Sequence, residues 1–180
     1  MRIKCIVSYD GTNFYGWQIQ PDRRTVQEEI QKAIYKITKE EVTIHSSGRT
    51  DAGVHANGQV FHFDIQKQLP EKQWIRALNN FLPDDIYIKD SFIVDESFHA
   101  RYSAKKKEYR YLVSTKAYNP IERLYIYQHN RSLDIEAMRQ LEYYITHHLD
   151  KEALELIETY KHSILNYNIV IDTGNAKEGL

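Results

Sequence analysis

Thirteen residues, GRTDAGVHANGQV from Gly48 to Val60, hold an arginine, an aspartate, a histidine, a glutamine and three glycines between two apolar stretches. Arg49 and Asp51 straddle Thr50, so both side chains point the same way if the segment is extended. A carboxylate beside a guanidinium stays ionised and oriented, as a nucleophile or base must be. The other reading is a surface turn: the glycines serve the bend, Asp51 caps a local N–H and Arg49 is an ordinary surface charge. His55 either joins the pair or is a hydrogen-bonded structural histidine. Residue types alone leave both readings open.

Other chemistries have less to stand on. His45, His55, His62 and His99 match no usual zinc spacing, and no cysteine stands near them. The glycines do not sit between a long strand and a helix in the order a phosphate-binding loop needs. Ser46 and Ser47 lack the context of a serine triad. No metal and no cofactor is expected.

A second cluster is basic. RYSAKKKEYR, from Arg101 to Arg110, puts Arg101, Lys105, Lys106, Lys107 and Arg110 around a single Glu, with Tyr102 and Tyr109 interleaved. Such a run is either a solvated face or an RNA-binding one, where cations hold phosphates and tyrosines stack on bases. The net charge of −1 argues against indiscriminate nucleic-acid binding, yet it is unevenly spread. Residues 1–130 carry 19 Lys and Arg against 16 Asp and Glu, whereas residues 131–180 carry 5 against 9.

The elements that must position these residues follow from periodicity. RIKCIVSY alternates, placing Ile3, Cys5, Val7 and Tyr9 on one side of a strand. Thr25, with Glu28 three residues on, has the capping-box pattern of a helix start. Val26, Ile30, Ala33, Ile34 and Ile37 then fall on one helical face. EVTIHS leads into the polar motif as a short strand. GQVFHFDI leaves it as another, with Phe61, Phe63 and Ile65 on one side and Val60 and His62 on the other. Pro70 suits the first turn of a second helix, with Trp74, Ala77, Leu78 and Phe81 as its buried stripe. DIYIKDSFIV and KEYRYLVST read as two more strands. The fold class is therefore α+β, a mainly antiparallel sheet with helices on one face, for which the ferredoxin-like pattern is the closest simple template.

The last fifty residues differ. Asp134 to His147 and Asp150 to Leu165 read as helices, NIVID as a short strand, and TGNAKEGL as a frayed end. The organisation expected is an α+β N-terminal domain over 1–130 and a helical segment over 131–180. With 42% apolar and 27% charged residues the chain reads as an ordinary folded protein. Cys5 is its only cysteine, so no intrachain disulfide is possible. No window approaches the about 18 apolar residues of a membrane span, and the N-terminus reads as a strand rather than a leader. No membrane partner is expected, and the expected location is cytoplasmic.

Five blocks carry a family resemblance: SYDGTNFYGWQIQ, RTVQEEIQKAI, SSGRTDAGVHANGQVFHF, ALNNFLPDDI and FHARYSAKKKEYRYLV. In that order and at those intervals they resemble the N-terminal half of the TruA-type tRNA pseudouridine synthases, from about Ile3 to about Arg123. GRTDAGVHA is very specific for that family. The resemblance implies an isomerase that turns uridine into pseudouridine in the anticodon stem-loop of tRNA. Asp51 matches the essential aspartate, which attacks the uridine or starts proton removal at its sugar. Arg49 matches the arginine that pairs with it and enters the space the base leaves. Tyr109 matches the tyrosine that packs on the target base and assists proton transfer. Arg101 falls where the family has an RNA-contacting or site-shaping arginine. With His55, Lys105, Lys106, Lys107 and Arg110 it completes the candidate substrate contacts. A homodimer is a further implied partner.

The resemblance stops in the second half, which in the family completes the cleft and shares RNA and dimer contacts. SLDIEAMRQLEYYI resembles its start, but THHLDKEALELIETYKHSILNYN does not continue it. A shortened or diverged C-terminal segment is the expectation. A non-catalytic RNA-binding module or degenerate paralogue is the alternative, and a structural protein without an RNA role is a third.

Overall fold

The computed structural model describes residues 1–134, Glu136 and the backbone of Val170–Asp172. The described residues divide into two compact units, one of residues 1–110 with 170–172 and one from residue 111 onward.

In the first unit, β1 (Arg2–Tyr9) is the central strand. It pairs antiparallel with β3 (His55–Asp64) on one side and β4 (Ile86–Val94) on the other. The short β2 (His45–Ser46) adds antiparallel to β3. The order β4-β1-β3-β2 is the antiparallel ferredoxin-like arrangement that the sequence suggests. Register explains the core: Ile3 lies opposite Phe63 and Cys5 opposite Phe61, all fully buried on one face. Helices α1 (Val26–Thr38) and α2 (Glu71–Asn79) supply Val26, Ile30, Ala33 and Ile34, and Trp74 and Leu78, to the same cluster. Cys5 sits at its centre, where burial pushes the thiol pKa well above the ordinary cysteine value. The same sheet continues with β8 (Val170–Asp172), which joins β3 in parallel at His55 and Ala56, and β5 (Glu108–Arg110), which pairs antiparallel with β8.

Several sequence expectations need correction. Thr25 is the N-cap of α1 but makes no capping hydrogen bond; its side chain is buried. The free helix amides are met by main chain instead, Val26 N–H on Gly16 O (3.2 Å) and Gln27 N–H on Trp17 O (3.0 Å). A helix start that docks on another segment's carbonyls no longer needs a side-chain cap. Pro70 is the N-cap of α2, not a residue of its first turn. Ala77 is only half-buried, and Phe81 lies beyond the end of α2, 47% exposed under Lys36. The helix stops at Asn79, whose side chain clamps β4 by donating to Ile88 O (3.0 Å) and accepting from Ile88 N–H (2.8 Å).

The expected strand over EVTIHS shrinks to His45–Ser46, because the Ile44 carbonyl accepts from the Gln27 side chain of α1 (3.4 Å). KEYRYLVST breaks into β5 and, in the second unit, β6 (Val113–Ser114). β6 pairs in parallel with β7 (Tyr127–Gln128). Strand character follows the available ladder partner, and these two pieces have different ones. NIVID contributes β8. Of the helix expected over 134–147 only Asp134 and Glu136 are described, and the helix expected over 150–165 lies wholly outside the described residues.

Candidate active site

The polar motif leaves β2 as a loop and returns as β3, and side chains within it fix its shape. Gln59, buried, donates from Nε2 to the Gly48 carbonyl, and Ser46 Oγ–H donates to the same oxygen (2.7 Å). Ser47 N–H donates to Val60 O (2.7 Å). Thr50 is buried, with its hydroxyl 2.8 Å from that of Tyr9. Its neighbours Arg49 and Asp51 are both exposed, as alternation about a buried middle residue requires. Among the described residues no ion pair joins Arg49 to Asp51.

A second segment presses on this loop. Trp17 N–H donates to Thr50 O (3.0 Å) and Gly53 N–H to Phe14 O (3.1 Å), while Val54 N–H closes a turn on Asp51 O (3.2 Å). Two glycines permit this approach. At Gly11 a Cβ would overlap the Val54 carbonyl. At Gly16, where φ is +85°, a Cβ would stand 2.5 Å from Thr50 O. Asp51 thus rides on a turn held main chain against main chain. His55 lies behind it, 6% exposed, with Nδ1 accepting from Gly11 N–H (3.1 Å) and 3.0 Å from Asp10 Oδ1.

Next to Arg49 opens a cavity of about 610 Å³, whose walls include Trp17, Gln18, His45, Arg49, His99, Arg101, Tyr102 and Lys107. Among the described residues three cations and no carboxylate line it, so its field favours an anion. Of the expected site residues, Arg49, Arg101 and Lys107 come together here. Asp51, His55, Lys105, Lys106, Tyr109 and Arg110 are not among its walls. Tyr109 stands on β5, 54% exposed, and Arg110 is ion-paired with Glu108.

One group escaped the sequence reading. His45, His62 and His99 form a ring cluster: His62 stacks on His45 (centroids 5.1 Å, 24°) and meets His99 edge-on (4.7 Å, 66°). Tyr102 packs on His99 at 4.3 Å. The spacing of the three histidines in the sequence, which fits no metal site, gives no hint of this cluster. Among the described residues no group of three or more His, Cys, Asp or Glu is placed to hold a metal ion. The usable signal was His62 on the strand face opposite Phe61 and Phe63.

Burial, then the nearby Arg2, His99 and His45, push the His62 imidazole from 6.5 down to about 4. Above pH 6.5 neither folded nor unfolded ring is protonated. As pH falls from 6.5 towards 4 the unfolded chain takes up a proton the folded one refuses, so stability falls by roughly 3 kcal/mol and then levels off. Urea titrations at pH 7 and pH 4.5 check this, with His62→Asn expected to show a shallower loss. Equal losses in both proteins would refute it.

Fold and cleft together define an α+β domain that presents an exposed carboxylate on a clamped turn, two residues from a cation-lined cavity. The chain belongs to the tRNA pseudouridine synthase family, whose sequence profile matches residues 5–103. It is similar to tRNA pseudouridine synthase A of Bacillus subtilis (strain 168), 49% identical over 143 residues, which are 78% of this chain and 58% of that protein. The enzyme of the same name from Oceanobacillus iheyensis is 50% identical over 141 residues, 77% of this chain and 56% of that protein. That from Anoxybacillus flavithermus is 50% identical over 149 residues, 82% and 61% respectively. The chain therefore spans about three fifths of the length of these curated relatives. No helix among the described residues is long and apolar enough to cross a membrane.

Proposed function

We propose that this chain is a tRNA pseudouridine synthase acting on uridines of the anticodon stem-loop, with residues 1–130 as its catalytic part. The reaction breaks the C1′–N1 bond, turns the base, and forms a C1′–C5 bond; N1 gains a proton and the C5 proton is released to water. Asp51 is the catalytic carboxylate, attacking the uridine or starting proton removal at its sugar. Arg49 enters the space vacated by the flipped base, and Tyr109 stacks on that base. Arg101, Lys105, Lys106, Lys107 and Arg110 hold backbone phosphates, with His55 behind the turn.

The observation that supports this reading is the clamp of Gly11 and Gly16 on the 50–54 turn, which carries the exposed Asp51 two residues along the chain from Arg49 of the cationic cleft. Holding a carboxylate towards anionic RNA opposes binding, so its presence there suits chemistry better than affinity. A second reading, an RNA-binding module without turnover, is favoured by one fact: neither Asp51 nor Tyr109 lines the cleft. Unmodified tRNA tritiated at uridine C5 separates them. Release of tritium to water supports the synthase. Salt-dependent binding without release supports the module, and neither would sink both.

A further inference from the structure

The loop Phe98–Ser103 brings His99, Arg101 and Tyr102 to the cleft, and it is fastened to the sheet at few points. Arg2 Nη1 donates to Phe98 O (2.8 Å). His62 Nδ1, on β3, accepts from Ala100 N–H (3.2 Å). Both Ala100 and His62 are buried, His62 to 1% exposure, so water does not replace that bond. Within the loop, Arg101 N–H donates to His99 Nδ1 (3.2 Å) and Ser103 N–H to His99 O (2.8 Å), which shapes it around the His99 ring. His99 in turn rests edge-on against His62. The chain of contacts runs from the sheet, through two imidazoles, to the cation and the tyrosine at the cleft.

We propose that His62 is a positioning residue for RNA binding, whose neutral ring docks the Phe98–Ser103 loop by accepting the Ala100 N–H, and whose protonation undocks it. The proposal rests on the reading that the cleft takes tRNA. A ring nitrogen carrying a proton has no lone pair to accept with. Burial makes that proton costly while the loop is docked, as do Arg2 on β1, His99 on the loop itself and His45 on β2; Lys4 is the residue opposite His62 on β1. Lys4 Nζ lies over the Phe98 ring at 5.5 Å. Among the described residues Asp64, two residues along β3, is the carboxylate that favours the proton, and Arg2 already holds it in a two-pronged pair (2.8 and 2.7 Å). Acid therefore favours the open loop, in which the ring is solvated.

The experiment follows amide exchange of segment 98–103, normalised for intrinsic rate, alongside unmodified tRNA affinity at pH 7.5 and pH 5. His62→Asn keeps an acceptor at the Nδ1 position but has nothing to titrate; His62→Leu removes the acceptor. In the parent, loop exchange is expected to rise about tenfold from pH 7.5 to pH 5. His62→Asn is expected to stay protected at both, and His62→Leu to exchange fast at both. tRNA affinity is expected to follow, with His62→Leu about tenfold weaker at pH 7.5 and the parent weakening relative to His62→Asn in acid. If His62→Leu fails to fold, the parent and His62→Asn carry the comparison alone. Acid loss of protection in His62→Asn equal to the parent's would overturn the proposal, as would full protection in a folded His62→Leu. Exchange behaving as expected while no variant binds tRNA would leave the docking standing and refute the tRNA reading.

Discussion

Asp51→Asn is expected to abolish tritium release, by about 10⁴-fold or more, while the protein still folds and still binds tRNA. The substitution keeps the shape of the side chain and removes its charge. An amide neither attacks a sugar carbon nor takes a proton from one at neutral pH, so the step proposed for Asp51 has no substitute; 10⁴-fold corresponds to about 5.5 kcal/mol of barrier. Stability is expected to change by no more than about 0.5 kcal/mol, as is usual for an exposed position. Among the described residues the Asp51 side chain makes no ion pair that the change would break. Removing a negative charge that faces a polyanion leaves tRNA affinity unchanged or raises it. Single-turnover release and filter binding, run on the same preparations, read both. A residual rate within tenfold of the parent's would remove Asp51 from the mechanism.

Gly11→Ala is expected to destabilise the fold by about 3 kcal/mol or more, at the upper end of overpacking effects. The atom a Cβ would meet is a backbone carbonyl, that of Val54, which has no rotamer to escape into. Relief requires the 11–17 segment and the 50–54 turn to part, and Asp51 moves with the turn. Gly16→Ala adds the penalty of a left-handed backbone to a contact of 2.5 Å with Thr50 O, so it is expected to cost at least as much as a simple overpacking change. Urea denaturation measures the cost. A loss below about 1 kcal/mol at Gly11 would mean the two segments are not pressed together. Where the variants remain folded, turnover is expected to fall more steeply than tRNA affinity, because Arg101 and Lys107, two of the three cations at the cleft, lie outside the two segments that part.

Periodicity made most of the sheet and both helices legible. The alternation of Ile3, Cys5, Val7 and Tyr9 is the burial pattern observed in β1, whereas in β3 His62 is buried along with Phe61 and Phe63, because the Phe98–Ser103 loop covers the opposite face of that strand. Local signals failed where a distant segment supplied the partner. Thr25 carries the residues of a capping box, yet Gly16 and Trp17 reach the helix amides first. The break after Arg110 depends on which strands are available as neighbours, and no window of KEYRYLVST encodes that. At the site, residue types pointed to Arg49, Arg101 and Lys107, which share a cavity. The histidine cluster was illegible as a unit because β2, β3 and the loop after β4 each contribute one ring. The closeness of Gly11 to Val54 and of Gly16 to Thr50 arises only once the two segments are packed, so no local window encodes it.

The placement of Cys5 gives this chain a built-in clock. It is the only thiol, fully buried in β1 with a strand hydrogen-bonded on each side, and its thiolate is disfavoured there. An alkylating reagent needs an exposed thiolate, so the folded molecule is blind to it and each label records one excursion in which the central strand came free. Labelling yields a single mass increment per chain, with no second cysteine to form a bridge. The opening rate of the sheet can thus be followed with and without added tRNA, in a mixture with other proteins, by mass alone.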